Sequence, residues 1–230
     1  MLTAEEWAVV ALSLRVSLVA VAATLPVAYG LAWLLARRRF PGRVLLDAMV
    51  HLPLVLPPVV TGWLLLLLFG HNGPAGAWLE ARFGITLVFR WTGAALAAAV
   101  MALPLMVRAM RLSIEAVDRK LGEAARTLGA GPWRAFWTVT LPLSAPGIAA
   151  GAMLGFARSL GEFGATITFA SNIAGETRTL PLAIYSGLQM PGGEALVTRL
   201  SLLSVALSLG ALVASELLVR RLPGGRVRGL

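Results

Sequence analysis

Arg158 and Glu162 stand four residues apart at the end of a long apolar stretch. Side chains with that spacing share a helix face. Charges in such a stretch usually face a partner charge or a water-filled cavity. The pair therefore has two readings. It lines or gates a path for an anion, with Arg158 screening a passing dianion and Glu162 holding Arg158 between states. Otherwise it is a structural ion pair between spans, or two groups at the outer end of the helix already in water. Ser159 and Thr166 bring hydroxyls to the same stretch, and Gly161 and Gly164 predict close helix packing. A second pattern is Glu123-Ala124-Ala125-Arg126 followed by Gly129. Small side chains beside a carboxylate suit a helix that enters a groove on another protein, or else an interfacial amphipathic loop that only anchors the neighbouring spans.

Other chemistry is excluded by what is absent. There is no Cys, so neither a thiolate nucleophile nor a zinc–thiolate site is possible. His51 and His71 are the only histidines and lie far apart, so no metal site is expected. The one lysine, Lys120, sits between Arg119 and Leu121 and cannot complete a Gly-Lys-Ser/Thr phosphate loop. The chain is read as a non-enzyme that binds no cofactor. Any ATP–Mg would belong to a partner.

The elements that carry these residues must be membrane helices. Of 230 residues, 58% are hydrophobic and 13% are charged. Mean hydropathy is +0.80. A soluble domain carries about a quarter charged residues, and disorder needs low hydrophobicity. Five apolar stretches predict five spans, at about 10–36, 46–70, 90–110, 142–170 and 197–219. The fold class is all-α and polytopic: one transmembrane domain over 8–219, a loop at 111–141, and a short basic tail at 220–230. Residues 179–193 are too short and too rich in Pro and Gly for a span, which fits a re-entrant or interfacial segment. Pro53, Pro57 and Pro58 predict a kink in the second span.

Net charge is +9. A basic excess can indicate nucleic acid or an anionic partner, but its placement follows topology. With the N-terminus outside, fourteen basic residues fall in inside segments and four outside, as the positive-inside rule requires. The expected topology is N-terminus outside and C-terminus cytoplasmic, with no nucleic-acid partner. Glu5 and Glu6 ahead of the first apolar run argue against a cleaved signal peptide.

The 111–141 loop has its own periodicity. Ile114, Val117, Leu121, Ala124, Ala125 and Leu128 follow helical steps, Gly129 suits a left-handed stop, and Pro132 suits a restart. Trp133, Phe136 and Trp137 suit a membrane interface.

Glu123-Ala124-Ala125, three residues, Gly129, eleven residues and Leu141-Pro142 resemble the signature of binding-protein-dependent ABC importer permeases. Resemblance to the molybdate-importer branch extends over nearly the whole chain. It is carried by the stretches His51–Pro58, Pro104–Ala109, Glu123–Gly131 and Ala157–Thr166. Sulfate and tungstate permeases share the general type. The resemblance implies a bacterial inner-membrane permease whose loop forms coupling helices, with Glu123, Ala124, Ala125, Arg126 and Gly129 docking on an ATPase. It also implies a second copy of the chain, two ATP-binding cassette subunits and an extracytoplasmic molybdate-binding protein. An ATP-independent transporter and a membrane-embedded enzyme are the readings from other classes.

Overall fold

The computed structural model describes residues 3–221, so most of the expected 220–230 tail lies outside the described residues. In chain order the helices are α1 (Ala4–Arg37), α2 (Arg43–Val55), α3 (Pro58–Phe69), α4 (Pro74–Phe83), α5 (Trp91–Ala116) and α6 (Arg119–Thr127). They continue with α7 (Pro132–Ala135), a π-helical turn (Phe136–Thr140), α8 (Leu141–Leu160), α9 (Gly164–Phe169), α10 (Leu180–Leu188) and α11 (Glu194–Arg221). Among the described residues there is no strand.

Local sequence explains where the first helix begins. Thr3 Oγ1 accepts the Glu6 N–H at 3.2 Å, and Glu6 Oε2 accepts the Thr3 N–H at 2.7 Å. This reciprocal capping box satisfies two donors that a helix start leaves open. Four helical runs are long and apolar enough to cross a bilayer alone: Ala4–Arg37, Trp91–Ala116, Pro132–Leu160 and Glu194–Ala214.

The second expected span is not one kinked helix. The helix axis bends by 117° between its halves, α2 and α3. Pro57 and Pro58 supply no N–H to bridge the joint, so two consecutive intrahelical bonds cannot form. The packing decides whether the pair crosses. Asp47, early in α2, pairs with Arg111 near the end of α5 at 3.0 Å. Leu65 of α3 instead clusters with Ala97 near the start of α5. The pair thus runs from one end of α5 to the other, as a broken span. Counted with the four continuous runs, it brings the candidate spans to as many as five.

The fourth expected span also divides. Its helix starts upstream, through α7 and the π turn, and ends at Leu160, with α9 a separate short helix. Residues 179–193 supply α10, whose Leu180, Leu182, Ala183 and Gly187 are buried. At nine residues it is about 14 Å long, too short to cross. The Leu180 N–H donates to Ser13 Oγ at 2.7 Å and ties it to α1.

The core lies between α1, α5 and α8. Val21, Ala28, Ala32 and Leu35 of α1 pack with Ala102, Met106, Met110 and Ile114 of α5. Gly147, Gly151 and Gly155 form a stripe at four-residue spacing on α8. A Cβ on Gly155 would stand 2.6 Å from Met106 Sδ, and one on Gly151 3.1 Å from Met110 Cγ. Small residues at this spacing let membrane helices approach closely.

Candidate functional site

The loop between α5 and α8 departs from the single periodic helix expected from Ile114 to Leu128. Helix α5 continues to Ala116 and buries Ile114, and the chain turns at Val117. Asp118 then caps a new helix, its carboxylate accepting the Lys120 N–H at 2.9 Å. The short polar side chain competes for the backbone and restarts the helix there. Ile114 and Val117 are core residues, whereas Leu121 and Leu128 are 49% and 88% exposed.

Glu123, Ala124, Ala125 and Arg126 fall on α6, which buries none of its residues. Gly129 has φ +88°. The Gly129 N–H donates to the Arg126 carbonyl at 3.0 Å, and the Ala130 N–H donates to the Ala125 carbonyl at 3.0 Å. These two bonds form a Schellman motif, which needs a left-handed residue at Gly129. Pro132 opens α7 as its first residue. The π-helical turn that follows joins the loop to α8.

Basic residues that the sequence offers only as topology markers fix this loop in place. Arg37, the last residue of α1, donates from Nη2 to the carbonyls of Ile114 and Val117, both at 2.9 Å. Arg119 reaches back to the Ala36 carbonyl at 3.4 Å. Arg111 bridges Asp47 at 3.0 Å and Glu115 at 2.9 Å. The ends of α1, α2 and α5 are thereby clasped where α6 departs. A cavity of about 260 Å³ opens there, lined in part by Arg37, Arg119, Glu123, Arg126 and Phe136. The signal for these anchors was their position at helix ends, where guanidinium groups satisfy open carbonyls.

Arg158 and Glu162 are in contact, with Nη1 and Oε2 2.5 Å apart. They do not share a helix face, because α8 stops at Leu160 and Gly161 caps it. Glu162 lies in the turn, only 3% exposed. Its other oxygen, Oε1, accepts the Ala165 N–H at 2.8 Å. One carboxylate therefore neutralises Arg158 and caps α9. Ser159 and Thr166 are buried beside it in sequence. Among the described residues the Ser159 hydroxyl has no hydrogen-bond partner, and neither has that of Thr61 on α3.

The two breaks in the fold meet here. A Cβ on Gly164 would lie 2.7 Å from Pro58 Cβ, and one on Gly62 would lie 2.7 Å from the Ala165 carbonyl oxygen. Gly161, by contrast, has no atom nearer than 3.8 Å to such a Cβ, so it does not serve close packing. Glu162 and Arg158 thus lie beside a seam between two half-helices, with unpartnered hydroxyls on both sides.

Residues 25–223 match the family model described as "Binding-protein-dependent transport system inner membrane component". The chain belongs to that family. This inner membrane component is 60% identical over 219 residues to the molybdenum transport system permease protein ModB of Escherichia coli K12, covering 95% of this chain and 96% of that one. It is 46% identical over 159 residues to the sulfate transport system permease protein CysT of the same organism, covering 69% of this chain and 57% of that one. Its fold matches a chain from a crystal structure of a bacterial ABC transporter involved in the import of the acidic polysaccharide alginate. The TM-score is 0.71 at 17% identity, over 99% of this chain and 82% of that chain.

Proposed function

We propose that this inner membrane component is the permease subunit of an ATP-driven importer of molybdate. The observation that carries the coupling role is α6. It exposes Leu121, Leu128, Glu123 and Ala124, with Ala125 half-buried, yet is held in one orientation by the Arg37 and Arg119 clasp and the Gly129 stop. An exposed, oriented, partly apolar helix suits a cleft on a partner, here an ATP-hydrolysing subunit carrying its own ATP–Mg.

The wider reading follows from family membership. Two copies form the path at their interface, since five crossings enclose little room for a tetrahedral dianion. Two ATPase subunits bind the paired α6 helices from the cytoplasm, and an extracytoplasmic binding protein delivers the ion to the outer mouth. Five crossings would put the termini on opposite sides, and the charge bias supports an N-terminus outside. ATP-driven closure of the ATPases moves α6, and the bundles rock between inward- and outward-open. Arg158 meets the passing anion briefly, with Glu162 reclaiming it afterwards. A weak site of this kind lets the ion leave.

The 60% identity to the molybdenum permease, against 46% and 38% to two sulfate permeases, supports molybdate over sulfate. The test is uptake into proteoliposomes holding this chain with its ATPase, using labelled molybdate against unlabelled tungstate and sulfate. ATP-dependent uptake displaced by sulfate as readily as by molybdate would overturn the substrate. Uptake without the ATPase would overturn the class.

A further inference from the structure

Phe136 separates two cavities. One is the basic cavity beside α6. The other, of about 360 Å³, is lined by Tyr29, Gly30, Trp33, Trp133, Phe136 and Arg38, with Pro132 completing it. Its walls are aromatic and mutually braced. The rings of Tyr29, Trp33 and Trp133 lie edge-on to Phe136 with centroids 6.1, 6.3 and 6.2 Å away. Tyr29 is locked by a 2.9 Å hydrogen bond to Ser144 Oγ, so its hydroxyl is already engaged. The slot is open at Gly30, where a Cβ would meet nothing within 4 Å.

Charge stands at one end of this slot. Arg38 follows the last residue of α1, and its Cζ lies 5.6 Å from the Trp33 ring centroid. Among the described residues no carboxylate pairs with Arg38 or Arg39. Gly30 precedes Arg38 by eight residues, about 12 Å along the helix. Because α1 crosses the bilayer, Arg38 sits at headgroup level and the slot sits beside the acyl chains. Aromatic rings and arginine at that depth match an amphiphile with an anionic head.

The geometry points to a binding site for one anionic phospholipid, its phosphate on Arg38 and an acyl chain in the slot over Gly30. Its location against Trp133 and Phe136 puts the lipid in contact with the loop that carries α6. The site depends on α1 crossing a bilayer and not on the ion transported.

The full-length chain in nanodiscs of equal phosphatidylglycerol and phosphatidylcholine tests this, with retained lipid counted by native mass spectrometry. The wild type should retain phosphatidylglycerol preferentially. Arg38→Gln should lower its retention about fivefold, which corresponds to about 1 kcal/mol for one basic residue at an anionic surface. Phosphatidylcholine should be unaffected. Gly30→Leu, which fills open space, should lower retention of both lipids. Equal retention of the two lipids by the wild type, or unchanged retention in both variants, overturns the site. The chain has no Cys, so Gly30→Cys is a unique crosslinking handle. A crosslink from it to a second copy, in membranes, would name a protein occupant and also overturn the proposal.

Discussion

Arg37 donates to the carbonyl of Val117, eighty residues away in sequence, at 2.9 Å. The last turn of α1 thereby holds the residue at which α5 ends and the α6 loop begins. The Ile114 carbonyl also accepts the Val117 N–H at 3.3 Å, so Arg37 reinforces a last turn that has already tightened. Arg37→Ala should destabilise the fold by about 1.5–3 kcal/mol, the range for hydrogen bonds to a charged group. Hydrogen exchange should rise in residues 115–131 more than in the middle of α1. Uniform exchange along α1 and the loop would contradict a clasp.

Gly129→Ala tests the Schellman stop. Space is available, since a Cβ there would meet nothing within 4 Å, but φ is +88°. The left-handed conformation costs a side-chain-bearing residue about 1 kcal/mol. The chain should still insert in the membrane, with α6 fraying at Leu128. If α6 docks on an ATPase, bulky replacements at Gly129 or Glu123 should abolish uptake and ATPase stimulation together. Normal uptake by both variants would remove the coupling role.

Glu162 offers a double-mutant cycle with Arg158. Removing one partner of a buried pair leaves an uncompensated charge and costs more than removing both. Glu162→Gln alone should lower the thermal midpoint in detergent more than Arg158→Gln with Glu162→Gln. Glu162→Ala should be worse than Glu162→Gln, because it also deprives the Ala165 N–H of its acceptor. Additive losses would show that the contact carries no energy.

Gly62 and Gly155 should differ in tolerance. The neighbour of Gly62 is a backbone carbonyl at 2.7 Å, whereas Gly155 faces a methionine sulfur at 2.6 Å. Methionine can change rotamer and backbone cannot. Gly155→Ala should cost about 1–3 kcal/mol at most, the usual range for overpacking, and Gly62→Ala should cost more. Equal thermal midpoints for the two variants would contradict the α3–α9 seam.

Apolar run length was enough to read an all-helical chain with four to five candidate spans. The local punctuation of the loop was also legible, because Gly129 and Pro132 act on their own backbone. Depth of burial was not. Ile114 and Val117 share a helical period with Leu121 and Leu128, yet the first two are core and the others exposed, because Asp118 restarts the helix between them. The prolines at 57 and 58 signalled a kink but not an angle of 117°, which α5 and α9 set by packing. At the Arg158–Glu162 pair the spacing was informative and the assumed helix was wrong. Gly161 ends α8, and the contact closes through a turn. The Gly147, Gly151 and Gly155 stripe was written in the sequence at helical spacing but has meaning only against Ser113, Met110 and Met106 of α5.

The joint between α2 and α3 has a mechanical consequence. A rigid rod crossing the bilayer can tilt but can bend only by rupturing its own ladder of backbone bonds. At residues 57 and 58 the donors that would span the joint do not exist, since both are proline. A change of angle there ruptures no i to i−4 bond ending at those positions. Pro58 touches Gly164, next to the second discontinuity, so the two weak points share one hinge line. Because Leu65 of α3 and Phe169 of α9 pack on the same Ala97 and Met101 of α5, a change of angle at either joint is felt at the other.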